Sequence, residues 1–390
     1  MVRPFQFARL PFIYFGSGKI SDLAGIAGRF GTSILLVTGE KSFFESPYAK
    51  SLLNQFERQS INYQHVPVKS EPSPELIDET VQAFTDKRID VVISIGGGSV
   101  IDAGKAISAM LYKSSPVTEY LEVVGVKDHP GTKVPFIAIP TTSGTGSEAT
   151  KNAVISKVGQ DGFKRSLRHE NLVPDIALID PDLSVSCPPD VTAAAGMDCF
   201  TQLTESFLSG KSNEYTDALA MEGFKAVNRS LVRCFTDGDD ISARADMSFA
   251  ALTSGICLAN AGLGAVHGIA GTMGALLNIP HGIICGTLMA AGNQINVREL
   301  RKASGDNPAL KKYATLGRMF SQKEGASDDY YIDSFIDILH KMTEQLRLPR
   351  LRKYGISSDD ISLICSQTDI KNNPVKLSPG QLAEIIERRL

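Results

Sequence analysis

The chain has 390 residues, of which 43% are hydrophobic and 21% are charged, and its formal net charge is −3. This composition is ordinary for a soluble globular protein, and the lack of a basic stripe argues against a nucleic-acid partner. The length predicts two domains, because a single hydrophobic core stops growing near ~250–300 residues.

The first half of the chain alternates predicted strands with predicted helices. Short β-branched runs predict strands at 33–38, 61–66, 90–95, 135–139 and 176–179. Between them, residues 46–59 and 73–87 carry apolar side chains at the three- and four-residue spacing of helices. This alternation favours right-handed crossovers and a largely parallel sheet, so we expect an α/β domain over residues 1–185.

The second half is predicted to be helical. Pro188 and Pro189 mark a turn, and nearly everything from Val191 onward carries a helical pattern. Predicted helices span 192–209, 215–237, 241–258, 262–277, 282–298, 307–320, 329–346 and 378–389. We therefore place a domain boundary near residue 185 and expect an all-α domain over residues 186–390.

A glycine-rich loop follows the predicted strand at 90–95. Gly96-Gly97-Gly98-Ser99 leads into a predicted helix at 100–111. Glycines let the backbone approach a phosphate, and the helix N-terminus offers free N–H groups. Asp102 stands three residues after Ser99, so the plainer reading is a capped helix preceded by a turn.

A second loop, residues 140–147 with sequence PTTSGTGS, also follows an apolar strand. Its hydroxyls and glycines form a set of donors for a pyrophosphate or a ribose, although a plain Ser/Thr-rich turn has the same composition. Ligands of open α/β sheets bind at the carboxyl ends of the strands. The two loops together predict a nucleotide site.

The end of the first predicted strand bears on the choice of nucleotide. An acidic residue in this region bonds the ribose 2′-hydroxyl of NAD, whereas a small residue with a nearby cation admits the 2′-phosphate of NADP. Gly39 with Lys41 favours NADP, while Glu40 leaves NAD open, and an ordinary turn is the alternative.

Four residues in the helical half predict a divalent metal. Asp198 and Gln202 are four residues apart and share a helical face, and His267 and His281 each begin an apolar helical run. A carboxylate with imidazoles suits Fe(II) or Zn(II), and the absence of paired cysteines argues against a Cys-rich zinc site. The alternative is that Asp198 lies near a cap, Gln202 is on the surface and each His is a core residue.

The remaining sequence predicts a cytoplasmic protein. Six cysteines, at 187, 199, 234, 257, 285 and 365, form no C-x-x-C pair and are expected to be free, buried thiols of a reducing compartment. The amino terminus lacks the pattern of a signal peptide, and no apolar run reaches the ~18–20 residues of a spanning helix. We expect no membrane partner.

These motifs resemble those of the iron-containing (group III) alcohol dehydrogenase family. The similar segments cover nearly the whole chain: FGSG at 15–18, GGGS at 96–99 with Asp102 and Lys105, PTTSGTGSE at 140–148, GMD at 196–198, GAVH at 264–267 and IPHG at 279–282. The resemblance implies a Rossmann-like dinucleotide-binding domain followed by a helical metal and substrate domain, as in dehydroquinate synthase. It also implies a homodimer or a larger homo-oligomer.

The resemblance assigns roles to individual residues. Gly97, Gly98 and Ser99 are expected to contact the pyrophosphate. The nucleotide site is expected to be lined by Asp102, Thr141, Thr142, Thr145 and Lys164, with Gly39 at a position where NAD-preferring relatives carry an acid. Asp198, His267 and His281 match three metal ligands of the family and are the expected catalytic residues.

The chain departs from the family pattern at two positions. Gln202 stands where the fourth metal ligand is usually His, and Gly271 replaces the second His of the family's His-x-x-x-His segment. An amide oxygen is a weaker ligand than an imidazole, so metal occupancy or metal choice is expected to change. The usual proton route is also altered, and water or a ribose hydroxyl is expected to carry the proton.

The sequence therefore predicts a reversible NAD(P)-dependent oxidoreductase of a small or medium alcohol or aldehyde, with the metal held by Asp198, Gln202, His267 and His281. Two alternatives stay open. One is a metal-independent reductase of a carboxylated carbonyl, similar to maleylacetate reductases. The other is a nucleotide-binding or interaction protein that has lost catalysis.

Overall fold

The computed structural model describes residue 2 and residues 4–159, 161–303 and 307–390. Its main sheet is parallel, with strand order β1-β8-β5-β4-β2-β3. The six strands are β1 (Phe12–Phe15), β2 (Ser33–Gly39), β3 (Asn62–Val68), β4 (Val91–Gly96), β5 (Phe136–Pro140) and β8 (Ile176–Ile179). All five predicted strands are present within two residues of the predicted bounds, and β1 was not predicted.

An antiparallel hairpin, β6 (Asn152–Lys157) with β7 (Phe163–Arg168), lies between β5 and β8 in the sequence. The sequence interpretation missed it, because β7 has only two apolar side chains, Phe163 and Leu167, which are separated by three polar residues. The hairpin supplies part of the wall of the cavity described below.

The sheet is covered on both faces by helices of the first half, which are α1 (Leu23–Ala27), α2 (Pro47–Arg58), α3 (Pro74–Phe84) and α4 (Gly98–Met110). Leu35 on β2 belongs to the cluster formed with α3 and α4, and the adjacent Ile34 belongs to the cluster formed with α1 and α2. Successive side chains of a strand point to opposite faces. This alternation explains why the strands read as continuous apolar runs.

The predicted helices of the second half are present, with one further helix, α12. They are α5 (Pro189–Leu208), α6 (Glu214–Thr236), α7 (Ile241–Ala261), α8 (Ala265–Leu276), α9 (His281–Lys302), α10 (Pro308–Ser321), α11 (Asp328–Gln345), α12 (Ser358–Gln367) and α13 (Pro379–Glu387). Among the described residues, no single helix is long and apolar enough to span a membrane. The pair α7 and α8 reaches the required length and hydropathy only together, and it is bent by 97°.

The predicted fold class, a parallel-sheet domain followed by a mostly helical region, is confirmed. Residue 185 lies between β8 and α5, and the division of the chain into two domains at that point stays a prediction.

The strand order fixes where a ligand is expected to bind. β2 pairs with β3 on one side and with β4 on the other, so the direction of winding reverses between β2 and β4. Ligands of doubly wound sheets bind at the carboxyl ends of the strands beside such a reversal. The loops after β2, β4 and β5 therefore face one crevice.

One close backbone contact joins the hydroxyl-rich loop after β5 to the helical half. Gly146, at φ +61°, lies against Gly255 of α7, where an added Cβ would come within 2.1 Å of the Gly146 carbonyl oxygen. Only glycine allows this approach. The hydroxyl-rich loop is thus held directly against the helices that carry the predicted metal residues.

Candidate metal and nucleotide site

Three predicted metal residues converge at one point between the sheet and the helices. Asp198 lies on α5, His267 in the first turn of α8, and His281 at the start of α9. The Oδ1 atom of Asp198 is 3.2 Å from Nε2 of His267 and 3.8 Å from Nε2 of His281. The three side chains therefore face one another, and their role as metal ligands stays a prediction.

The approach of α9 to α5 depends on a glycine. A Cβ at Gly282 would lie 2.7 Å from the carbonyl oxygen of Ala194 on α5, so a larger residue would push the two helices apart. Pro280 precedes the first turn of α9 and ends the loop from α8. These two residues account for the position of His281 opposite Asp198.

A residue that the sequence analysis missed orients His267. The Oε2 atom of Glu205 is 2.7 Å from Nδ1 of His267, and its Oε1 atom accepts a hydrogen bond of 2.7 Å from the backbone N–H of Val266. A carboxylate on the far nitrogen of an imidazole fixes its tautomer and raises its basicity toward a metal. Asp198, Gln202 and Glu205 occupy positions i, i+4 and i+7 of α5, and this spacing was the available signal.

The site favours an ionised carboxylate and one neutral imidazole. Burial lowers the pKa of His281 to about 4, against the opposing attraction of Asp198, so its imidazole is neutral at pH 7. Burial also opposes the charged form of Asp198, but His281 and His267 outweigh it and lower the pKa of that carboxyl. Neutral imidazole and ionised carboxylate are the forms that bind metals.

His267 behaves differently. Burial favours its neutral form, but Cys285, Asp198 and Glu205 outweigh that effect and raise the pKa of the imidazole well above its ordinary value. Burial raises the pKa of the Cys285 thiol to about 12, so the thiol is neutral near pH 7. Without a cation in the cluster, a proton on His267 thus balances the carboxylates of Asp198 and Glu205. Metal binding must displace that proton from Nε2.

Gln202 is buried, with 2% of its surface exposed, so the alternative that places it on the surface is wrong. Its Nε2 donates a hydrogen bond of 3.3 Å to the carbonyl oxygen of Gly144. Its Oε1 has no hydrogen-bond partner among the described residues. A buried acceptor without a donor costs ~1–3 kcal/mol, and a cation would satisfy it. The donor set therefore fits a divalent metal.

Cys285 adds a donor that was not predicted. Its Sγ belongs to a group of ligand atoms from Asp198, His267, His281 and Cys285 that all lie within 4.8 Å of one another. The six cysteines are free in the described chain, as expected, and five are buried, whereas Cys187 is partly exposed.

A cavity of about 310 Å³ joins this cluster to the glycine-rich loop. Its lining includes the predicted residues Gly98, Ser99, Asp102, Thr145, Lys164, Asp198, Gln202, His267, Gly271 and His281. At Gly271 an added Cβ would meet no described atom within 4 Å, so the cavity has room beside it.

A second cavity, of about 210 Å³, lies over the carboxyl ends of β2, β4 and β5. Its lining includes the predicted Gly97, Thr141 and Thr142, together with Ser42 and Phe43 from the turn after β2. Gly39 ends β2 but is outside the described lining of both cavities. A Cβ added at Gly39 would lie 3.0 Å from Oγ of Ser42.

Two residues predicted to bind the nucleotide are already engaged within the protein. Asp102 accepts hydrogen bonds from the Ser147 hydroxyl and, at 3.0 Å, from the backbone N–H of Val154. Lys164 forms an ion pair of 2.5 Å with Glu71. Both side chains line the cavity, and the hydrogen bond from Val154 to Asp102 connects α4 to the hairpin.

Comparison with known proteins gives consistent matches over the whole chain. The sequence profile of iron-containing alcohol dehydrogenase matches residues 11–181, and that of the C-terminal part of the Fe-containing alcohol dehydrogenase family matches residues 192–390. A 1-propanol dehydrogenase of Salmonella typhimurium is 30% identical over 393 residues, which cover 97% of this chain and 98% of the relative. Alcohol dehydrogenase 4 of Saccharomyces cerevisiae is 28% identical over 385 residues, which cover 97% and 96%. The solved structure of alcohol dehydrogenase from Oenococcus oeni is 25% identical, with a TM-score of 0.89, and the match covers 99% of this chain and 100% of that one.

Proposed function

This chain belongs to the iron-containing alcohol dehydrogenase family, and we propose that Asp198, His267 and His281 hold the divalent metal of its active site. The observation that carries the proposal is the convergence of their ligand atoms within 4.8 Å at one end of the larger cavity. Gln202 is buried in the same wall and is the predicted fourth donor through its unpartnered Oε1. The predicted family, enzyme class and cofactor class are confirmed.

The chemistry is an NAD(P)-dependent interconversion of an alcohol and an aldehyde. A divalent ion in the cluster supplies a Lewis acid for the substrate oxygen, and a nicotinamide dinucleotide supplies or accepts the hydride. The protein itself binds and orients the substrate and the dinucleotide and excludes water from the site. Leu258 and Leu263 line the same cavity and are proposed to restrict water in it.

The dinucleotide is proposed to run between the two cavities. Gly97, Gly98 and Ser99 lie at the N-terminus of α4, where unpaired N–H groups and the helix dipole favour a pyrophosphate. The hydroxyls of Thr141 and Thr142 line the cavity above the sheet, and that of Thr145 lines the cavity next to the metal cluster. On this proposed path the nicotinamide end lies beside Asp198.

The substrate oxygen needs a proton donor in the reducing direction, and position 271 provides no side chain for it. The open space beside Gly271 leaves room for water, and we propose that water or a ribose hydroxyl carries the proton. The proposed preference for NADP over NAD rests on Gly39 and Lys41, because the strand end then carries no acidic side chain at position 39 to repel a 2′-phosphate and has a cation close by.

The assembly and the cellular location are also proposals. β1 is an edge strand that pairs only with β8 among the described strands, and Phe12 on it is 65% exposed. An exposed edge with an apolar side chain favours pairing with another chain, which supports a homodimer.

Free cysteines agree with a reducing compartment such as the cytoplasm. The proposed substrate is a short alcohol or aldehyde, since the relatives include a 1-propanol dehydrogenase.

A chelation experiment separates this function from its two alternatives. NADPH oxidation is followed with a panel of short aldehydes before and after removal of metal with EDTA, and again after adding Zn(II) or Fe(II). We expect activity that is lost on chelation and regained with metal. Full activity in EDTA with no bound ion would favour a metal-independent carbonyl reductase, and dinucleotide binding without turnover would favour a protein that has lost catalysis.

A further inference from the structure

We propose that the thiolate of Cys285 is a ligand of this metal centre and takes the coordination position that Gln202 fills poorly. The inference rests on the proposed metal function of Asp198, His267 and His281. It makes the site a mixed oxygen, nitrogen and sulfur centre, which the sequence motifs did not indicate.

The position of Cys285 on α9 aims its sulfur at the cluster. Residues four apart on a helix lie on one face, so Cys285 stands one turn beyond His281 and on the same side. The side chain is fully buried, and Sγ is 3.6 Å from Nε2 of His281. That nitrogen is the one that also faces Asp198.

Three separations within the donor set are close to those around a tetrahedral ion. Metal–nitrogen and metal–oxygen bonds of about 2.0–2.1 Å and metal–sulfur bonds of about 2.3 Å give ligand–ligand separations of roughly 3.3–3.6 Å in a tetrahedron. The measured separations are 3.2 Å between Asp198 and His267, 3.8 Å between Asp198 and His281, and 3.6 Å between His281 and Cys285. All four donor atoms lie within 4.8 Å of one another, so one ion between them would draw the wider pairs together.

A second observation points to the same ion. Oε1 of Gln202 is buried in the cavity wall and has no partner in the described chain. A neutral amide oxygen is a weak donor for an ion that prefers nitrogen and sulfur. The sulfur of Cys285, once ionised by the metal, would give the ion four strong ligands, with the Gln202 oxygen as a further and weaker contact.

Coordination of Cys285 breaks its S–H bond and forms a metal–sulfur bond, and the proton leaves through the cavity to solvent. A thiol that only donates a hydrogen bond to His281 would give the same 3.6 Å contact without this step. The two cases differ in metal preference, because a thiolate favours Zn(II) and Co(II) over Mg(II) and Mn(II).

The test replaces the metal with Co(II) in the full-length protein and records its electronic spectrum. We expect a near-ultraviolet sulfur-to-cobalt charge-transfer band in the unaltered protein, retained in Gln202→Ala and lost in Cys285→Ser. Cys257→Ser is the matched control, because Cys257 is equally buried but belongs to the core around α5–α7, apart from this cluster. It is expected to keep the band.

The Zn(II) affinity of the same variants gives a second readout. We expect Cys285→Ser to bind Zn(II) more weakly by at least the roughly 10- to 100-fold loss seen for groups that merely support a ligand. Circular dichroism of the metal-free variants verifies that Cys285→Ser is folded, and Cys285→Ala serves if it is not.

The outcomes separate the two proposals. A Co(II)-loaded, active protein without the charge-transfer band, or with the band still present in Cys285→Ser, overturns the role of Cys285 and leaves the metal function intact. A protein that binds no Co(II), or binds it unchanged in Asp198→Asn, overturns the metal centre itself.

Discussion

Nδ1 of His267 lies 2.7 Å from Oε2 of Glu205, and the opposite ring nitrogen faces Asp198 at 3.2 Å. The imidazole is therefore held between a carboxylate behind it and a carboxylate at the metal cluster. Since Glu205 also accepts the Val266 N–H, it fixes the start of α8 and the direction of the ring together.

Glu205→Gln is expected to weaken metal binding by about 10- to 100-fold. An amide at this position can present N–H groups to Nδ1, which favours the tautomer with the proton on Nε2, the atom that must bind the metal. Competition with a chromogenic chelator measures the affinity. Glu222→Gln on the exposed face of α6 is the control, and equal affinities in both variants would contradict the role given to Glu205.

Gly271→His is expected to restore a side-chain proton donor. The position lies on α8 beside the cluster, and the described chain leaves the space around an added Cβ open. A placed general acid contributes about 10²–10⁴-fold to a rate, so kcat should rise and gain a dependence on one ionisation near pH 6–7.

The control for that variant is Gly271→Ala, which makes the same change to the helix backbone without an imidazole. Profiles of kcat against pH for the three proteins provide the comparison. Identical profiles in Gly271→His and Gly271→Ala would mean that the proton does not pass beside this position.

Gly98→Ala is expected to weaken dinucleotide binding by at least about 10-fold while leaving metal binding unchanged. The added Cβ would lie 2.6 Å from Cγ2 and 2.7 Å from Oγ1 of Thr145, so the two loops must move apart, at a cost of about 1–3 kcal/mol. Quenching or enhancement of NADPH fluorescence measures the affinity. Gly25→Ala on α1, where an added Cβ is free of described neighbours, should bind as the unaltered protein does.

Glu148 is expected to make stability fall between pH 4.5 and 7. Burial raises the pKa of its carboxyl from 4.5 to about 7, so the folded chain holds a proton there that the unfolded chain releases. The stabilisation is complete below pH 4.5 and is lost as the pH rises to about 7, on the order of 3 kcal/mol in all.

Urea unfolding at a series of pH values compares the unaltered protein with Glu148→Gln, which carries no titrating group at that position. The unaltered protein should lose stability relative to the variant across this window. Glu57→Gln, an exposed substitution on α2, should keep the unaltered pH dependence. Parallel curves for the unaltered protein and Glu148→Gln would contradict the assignment.

The sheet and the metal residues could be predicted because their signals are local. Buried parallel strands are apolar along their whole length, as in the run from Val91 to Ile95, and loops at strand ends carry the glycines and hydroxyls that phosphates need. Asp198 and Gln202 share a helical face by spacing alone. Their residue types, together with those of His267 and His281 farther along the chain, predicted one metal, and the family resemblance then supported this grouping.

The rest depended on packing between distant segments. Strand β7 has little apolar content and β6 has an apolar run of only three residues, so the hairpin became visible only through the pairing of its strands. Cys285 was interpreted as a core thiol, because its neighbours in the sequence are apolar and do not indicate that Asp198, His267 and His281 lie close to it. The pairing of Lys164 with Glu71 joins residues 93 positions apart and had no local signal.

The most direct test of the central claim is an anomalous difference map from crystals of the active protein, recorded at the absorption edge of its metal. The account predicts one peak per chain at about 2.0–2.2 Å from Oδ1 of Asp198 and from Nε2 of both His267 and His281. A fully active crystal with no peak between these three side chains, or with the metal bound elsewhere, would contradict it.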